Sequence, residues 1–300
     1  MLIKKLRQKC REYGLLGLVK RICIILYGFC WDLCHKKLCK KIEQRLKIKH
    51  VVFQNNMVQN IAIHKKIAIH LHLYYIDMID WIASYLNNFQ VPFDLYISTI
   101  ALESEHSVIQ QRFKEKVSFL NQCIVKTVPN RGRDIAPLIC TFGNELLQYD
   151  IIAHIHTKKS SQEWCTWCYD HLLGSKELIQ YFLEQLSNNI AIIYPYPYPY
   201  RDWQPLKISW ENNLKNSQKI LDLAKISINL KKEFPIIFFS QGTMFFAKAQ
   251  NIKKLLTLPL TYDDFPEEPI PLDGTIAHAL ERTLLLWDLD SSDQNIVINA

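Results

Sequence analysis

Residues 122–160, QCIVKTVPNRGRDIAPLICTFGNELLQYDIIAHIHTKKS, carry the reading of the fold. Two apolar runs of strand length, 123–128 and 149–155, flank about twenty residues of helical periodicity, which predicts a strand, helix, strand unit. Each run stops at a charged cluster: Asn130, Arg131, Gly132, Arg133 and Asp134 after the first, His156, Thr157, Lys158, Lys159 and Ser160 after the second. In a parallel α/β sheet both clusters fall at the carboxyl edge, where open α/β folds bind their ligands.

These residue types suit a phosphorylated ligand. Arg131 and Arg133 offer planar forks for phosphate oxygens, Gly132 lets the backbone come close, and Lys158 and Lys159 add compact charge. Four cations are therefore expected on one edge. Asp134 is placed to cap the following helix, with Pro137 in its first turn. The alternative is a solvated basic turn whose arginines pair with nearby carboxylates.

Outward from this unit the chain alternates strand and helix. KIAIHLHLYY (66–75) predicts a buried strand, 77–88 a helix, 93–99 a strand and 103–117 a charged helix. Beyond the lysines, Ser160 and Glu163 read as a capping box opening a helix with Trp164 and Trp167, followed by a helix at 176–187 and a strand at 190–194. PYPYPYR (195–201) predicts an extended loop, 210–223 a helix, and 234–240 a buried strand leading into a second at QGTMFF. Alternation of this kind argues for an α/β fold with a mostly parallel sheet and flanking helices. Asp263, Asp264, Glu267, Glu268 and Asp273 then crowd one loop before a helix starting near Thr275, on which His278 and Glu281 share a face with Arg282 close by. Carboxylates and a histidine gathered this way suit a general base or a metal site.

The chain has 300 residues, 49% hydrophobic and 22% charged, which is ample for a core. Its net charge of +7 is uneven: residues 1–50 hold fourteen Lys or Arg against three Asp or Glu, so the other 250 sum to −4. Basicity confined to the arm gives no argument for nucleic acid binding by the folded domain. The arm, 1–55, reads as a basic amphipathic helix on an anionic membrane surface, its longest uncharged run (22–31) being too short to span. The domain proper is expected over 60–295. Nine cysteines without a paired framework, Cys165 and Cys168 included, read as reduced structural thiols. Among eight glycines there is no GxGxxG or Walker A loop, which disfavours an ordinary dinucleotide or ATP site.

Four stretches, PNRGRDIAPL, YDIIAHIHTKKS, QGTMFF and DFPEEPIPLDGTIAHALER, in this order resemble the rhamnan synthesis protein F family over roughly residues 67–286. The third motif of that family tends to end in Phe-Trp where this chain has Phe245 and Phe246. The resemblance implies a glycosyltransferase of cell-wall polysaccharide or lipopolysaccharide synthesis. Its donor would be a nucleotide-activated sugar, dTDP-rhamnose or similar, and its acceptor a lipid-linked glycan.

On that reading the protein is a GT-A-like, inverting transferase, cytoplasmic and peripheral on the inner face of the membrane. Arg131, Arg133, Lys158 and Lys159 are expected to bind the donor diphosphate, with Asn130, Gly132, Asp134 and His156 completing the site. Gly242, Thr243 and Glu281 would line the sugar pocket, and Asp273, Glu268 or His278 would accept the proton of the acceptor hydroxyl. Many GT-A transferases hold a divalent metal on Asp-x-Asp at the strand end where this chain has His154, His156 and two lysines. Cations there replace the metal's charge, so a metal is compatible but not required. Two other readings stay open. The His70/His72 and His154/His156 pairs would suit a metal-dependent hydrolase, and a non-catalytic polysaccharide assembly protein would use the same ligand site.

Overall fold

The computed structural model of the protein describes residues 36–199 and 210–300. Strands β1 (Ile48–Val52), β2 (Ile67–His72), β3 (Phe93–Thr99), β4 (Leu120–Thr127), β5 (Ile151–His156), β6 (Ile190–Pro195), β7 (Phe245–Lys248) and β8 (Gln294–Asn299) form one sheet. Their order is β1-β8-β6-β7-β5-β2-β3-β4, and every pairing is parallel except the two made by β7. β2 and β5 are buried at all six positions, as strands covered by helices on both faces must be.

Alternation sends successive side chains of these strands to opposite layers. One layer packs Ile69, Leu71 and Ile97 under the helices α1 (Ile79–Leu86), α2 (His106–Lys116), α3 (Gln162–Leu173) and α4 (Lys176–Ser187). The other packs Ala68, Tyr96 and Ile152 under α5 (Leu214–Leu223), α6 (Ile276–Thr283) and the crossover from β4 to β5. That crossover passes two strands, because β4 is the sheet edge and β5 lies beyond β3 and β2.

The crossover is not one helix. It is a π-helical turn at Pro137–Thr141 followed by one short turn at Gly143–Leu146. Pro137 supplies no amide hydrogen, and a Cβ on Gly143 would stand 2.1 Å from the Leu256 carbonyl oxygen, so the backbone is pressed against its neighbour there. Phe142 between the two turns is fully buried, edge-on to Tyr96 and His70, a burial worth about 2 kcal/mol.

Other expectations need correction. Residues 234–240 are largely buried but irregular; β7 alone fills the place between β5 and β6. The helix α3 is preceded by Ser161 rather than Ser160 and has no side-chain cap, since Glu163 accepts a hydrogen bond from the Tyr198 hydroxyl at 3.0 Å. Residues 36–52 are not a separate arm. Ile42 and Leu46 are buried in the core, and β1 pairs with β8 in register Ile48 to Asn295. The rest of the basic arm, 1–35, and Tyr200 and Arg201 lie outside the described residues. Among the described residues no helix is long and apolar enough to cross a membrane.

Candidate active site

At the carboxyl ends of β2 and β5 the sheet opens into a cavity of about 1250 Å³. The second wall comes from the 239–243 turn ahead of β7, and the third from the acidic loop and α6. Of the fourteen residues picked out from the sequence, twelve line this space: Asn130, Arg133, Asp134, His156, Lys158, Lys159, Gly242, Thr243, Glu268, Asp273, His278 and Glu281. Arg131 and Gly132 do not.

Arg131 is a correction with a clear cause. Its guanidinium pairs with Asp263 at 2.7 Å and Glu267 at 3.9 Å and donates from Nε to the Phe265 carbonyl, so it ties the acidic loop to the β4 end. Gly132 serves the same seam: at φ +70, a Cβ there would sit 2.3 Å from Ala136 Cβ and 2.6 Å from the Phe265 ring. Arg133 follows, itself left-handed at φ +54, and this double turn throws its side chain to the cavity side.

The basic wall is therefore Arg133, Lys158 and Lys159. Arg133 reaches His278 Nε2 at 3.3 Å and Glu268 at 3.8 Å. Lys158 Nζ lies 4.3 Å from the centre of the Trp164 ring and Lys159 Nζ 4.8 Å from that of Tyr75; Lys159 also pairs with Asp77. These are weak surface contacts that a phosphate would readily displace.

Asp134 does not cap a helix. It turns inward and accepts a hydrogen bond from His154 Nε2 at 3.2 Å. Burial pushes its carboxyl up, but the field of His156 and the His154 hydrogen bond outweigh this and hold it well below the usual carboxylate range. Behind it a buried chain continues: His154 Nδ1 to His70 Nδ1 at 2.9 Å, His70 Nε2 to Ser98 Oγ at 3.0 Å, and Ser98 Oγ to His72 Nδ1 at 2.9 Å. The pairing of β2 with β5 makes this possible by setting His70 opposite His154 and His72 opposite His156. Both ring nitrogens of His70 and of His154 are committed, so neither His-x-His pair is preset as metal ligands. Among the described residues no cluster of three or more His, Cys, Asp or Glu is arranged to hold a metal.

On the acidic wall, Asp273 accepts from Asn213 Nδ2 at 2.7 Å and faces Arg282 at 3.1 Å. Burial raises its pKa, but the Asn213 hydrogen bond, Arg282 and backbone amides of Asn212 and Gly274 lower it further, leaving a weak base. Glu281 is pushed the other way, up, by burial, although the Gly242 amide donates to it. His278 Nδ1 lies 2.8 Å from Thr275 Oγ1 and 3.4 Å from the Thr275 amide nitrogen, while Nε2 faces the Arg133 donor at 3.3 Å and takes the acceptor role there. Burial, then Arg133 and Arg282, lower its pKa to about 4.

Residues outside the fourteen also shape the site, among them Arg282, which the sequence sets beside His278, Trp164, and His72, which the sequence pairs with His70. Arg282 is buried among Glu211, Asp273 and Glu281, and its spacing of four from His278 is a signal that was in plain view. Trp164 and His72 also line the cavity; His72 ends β2 as His156 ends β5.

Neutral buried histidines make stability depend on pH. Burial is the leading cause that lowers the pKa of both His72 and His278 to about 4, from an unfolded value near 6.5. Below pH 6.5 the unfolded chain binds protons that the folded chain refuses until about pH 4, so stability is constant above 6.5 and falls between 6.5 and 4. Each group contributes on the order of 3 kcal/mol to that fall. Urea midpoints measured from pH 8 to 4 should decline through this window, and a flat profile would contradict the neutral-histidine assignment.

A mannosyltransferase from Pyrobaculum calidifontis, PcManGT, solved in complex with GDP-Man and Mn2+, superposes with a TM-score of 0.43 at 11% identity, covering 93% of this chain and 67% of that one. Two curated proteins, both called uncharacterized protein WxcX, from Xanthomonas campestris pv. campestris strains B100 and ATCC 33913, are 24% identical over 229 and 230 residues. The match takes in 71% of this chain and 30% of each relative, so the chain spans under a third of their length. The family model described as Rhamnan synthesis protein F matches residues 25–292, a span that takes in every wall of the cavity and part of the basic arm. The chain belongs to the rhamnan synthesis protein F family.

Proposed function

We propose that the protein is a GT-A-like glycosyltransferase of polysaccharide synthesis, moving a deoxyhexose such as rhamnose from a nucleoside diphosphate to a hydroxyl of a lipid-linked glycan. The observation that carries this is the meeting, in one cavity, of Arg133, Lys158 and Lys159 with the neutral imidazole of His278. Diphosphate oxygens bind the three cations, which stabilise charge as the bond from the anomeric carbon to the leaving oxygen breaks. The acceptor oxygen attacks from the opposite face and the configuration inverts. Its proton passes to His278 Nε2, which faces Arg133 in the cavity.

A base held near pKa 4 is too weak until the donor arrives. Arg133 is one of the groups that depress it, and a diphosphate pairing with Arg133 removes that effect, so donor binding raises the basicity of His278. Turnover therefore requires the donor first. The basic arm would hold the domain on the anionic cytoplasmic leaflet, close to a lipid-linked acceptor.

Incubation with a panel of nucleotide sugars and a lipid-linked acceptor extract tests the reading. Transfer should appear with a deoxyhexose donor, and His278→Asn should lower kcat by roughly 10²–10⁴ with donor affinity kept within a few-fold. Full turnover in His278→Asn would remove the assigned base, and no transfer from any donor would remove the function.

A further inference from the structure

The buried chain from Asp134 to His72 has one consistent set of protons. The Asp134 carboxylate only accepts, so His154 donates from Nε2. A neutral His154 then accepts at Nδ1, and His70 must donate from its own Nδ1. His70 Nε2 is left as an acceptor, filled by the Ser98 hydroxyl hydrogen. Ser98 Oγ in turn accepts from His72 Nδ1–H. The last ring in the series therefore has a bare lone pair on Nε2. His72 Nε2 has no hydrogen-bond partner among the described residues, does not appear among the buried unpaired atoms, and belongs to a side chain that lines the cavity.

We propose that this chain locks His72 in the Nδ1–H form, making Nε2 a fixed, uncharged hydrogen-bond acceptor that recognises an N–H or O–H of the donor's nucleoside. The inference rests on the nucleotide-sugar reading above and adds which part of that ligand the β2 end selects. An acceptor without charge has nothing to offer a phosphate oxygen, which is itself an acceptor, so the partner is the neutral part of the nucleotide. Its surroundings agree: Tyr74 and Tyr75, two and three positions on, line the same cavity and present aromatic faces suited to a ribose or a base. The matching donors are a ribose hydroxyl or a base imide N–H. Ser98, His70, His154 and Asp134 are positioning residues, acting only through His72.

The same geometry explains why the neighbouring strands β2 and β5 carry buried histidines at positions that could have been apolar. His70 and His154 are satisfied at both ring nitrogens and His72 at Nδ1, and no ring is charged, so the buried series avoids the cost of an isolated ion. Its burial is high enough that solvent cannot scramble the tautomers: Ser98, His70 and His154 are fully buried.

The test separates this inference from the function on which it rests. Protein labelled with 15N-histidine should show His72 as the Nδ1–H tautomer, and Ser98→Ala, which removes the acceptor for that proton, should bring in the Nε2–H form. Calorimetry with nucleoside diphosphates should then show about tenfold weaker binding in Ser98→Ala and recovery in Ser98→Thr, with kcat changed less than KM. Unmodified nucleoside diphosphates are compared with 2′-deoxy, 3′-deoxy and base N-methylated forms. Whichever loses affinity in the native protein but not further in Ser98→Ala identifies the donor group that meets Nε2. An Nε2–H tautomer in the native protein, or unchanged affinity in Ser98→Ala with tautomers altered, overturns the proposal while leaving the transferase reading intact. No binding by any nucleoside diphosphate overturns both.

Discussion

Gly242→Ala is expected to cost roughly 3 kcal/mol of stability, while the same change at Gly274 costs about 1. Both glycines are left-handed, at φ +85 and +86, so the backbone penalty for a Cβ is shared, on the order of 1 to 2 kcal/mol. What differs is the space. At Gly274 the nearest atom to an added Cβ is Asn212 Cβ at 3.2 Å, whereas at Gly242 the Cβ would lie 2.0 Å from Trp164 Cη2 and 2.2 Å from Cζ2. Trp164 is buried, so its ring cannot step aside without displacing core, an overpacking worth another 1 to 3 kcal/mol. The shift would also break the His156 Nε2 to Gly242 carbonyl hydrogen bond of 2.8 Å and the amide contact to Glu281, and with them the cavity wall. Urea unfolding of the two variants reads the difference directly; equal losses at both sites would mean that the Trp164 contact carries no weight.

Arg282→Ala should destabilise by about 3 to 5 kcal/mol, the usual result of stripping the counter-charge from a buried ionic cluster. The Arg282 side chain is only 5% exposed and stands 3.1 Å from both Glu211 and Asp273 and 3.9 Å from Glu281. Lysine should rescue little of this, because one ammonium cannot reproduce the fork that meets two carboxylates at once. Arg282 also helps to lower the His278 pKa and the Asp273 pKa. Its removal should therefore move the acid limb of the pH–rate profile upward in any variant that stays folded, for instance at reduced temperature. A stability change under 1 kcal/mol, with an unmoved acid limb, would contradict the role given to Arg282.

Much of this fold is legible in the sequence, for physical reasons. The central strands are continuous apolar runs ending in polar residues, so 93–99 and 176–187 coincide with β3 and α4 to the residue. The stretch 48–52, IKHVV, gives only a weak pattern because an edge strand exposes most of its positions, here with a lysine and a histidine at 49 and 50. The opposite error arose at 234–240: FPIIFFS is apolar enough for a strand, but apolarity reports burial and not a ladder partner.

The site was legible in location and only partly in detail. Charged residues after two parallel strands must gather at one edge, and Arg133, Lys158 and Lys159 do. Arg131 lies two positions from Arg133 yet serves the opposite side of the turn, because consecutive left-handed residues at 132 and 133 reverse the direction of the chain. Asp134 looked like a helix cap because caps are local, whereas its actual partner, His154, is twenty positions away. Nor could the pairing of His70 with His154 be read from their spacing of 84, since it depends on β5 settling beside β2 rather than β4.

Sugar transfer in this cavity requires the basic wall to hold a diphosphate. Calorimetric titration of uridine, thymidine and guanosine diphosphates into the native protein, Arg133→Ala and Lys158→Ala measures this without any acceptor. The expected result is saturable binding of at least one of them that weakens with added salt. Each variant should lose tenfold or more, the size of one charge-assisted hydrogen bond. Binding that is indifferent to both substitutions, or no binding at all, would contradict this role of the basic wall.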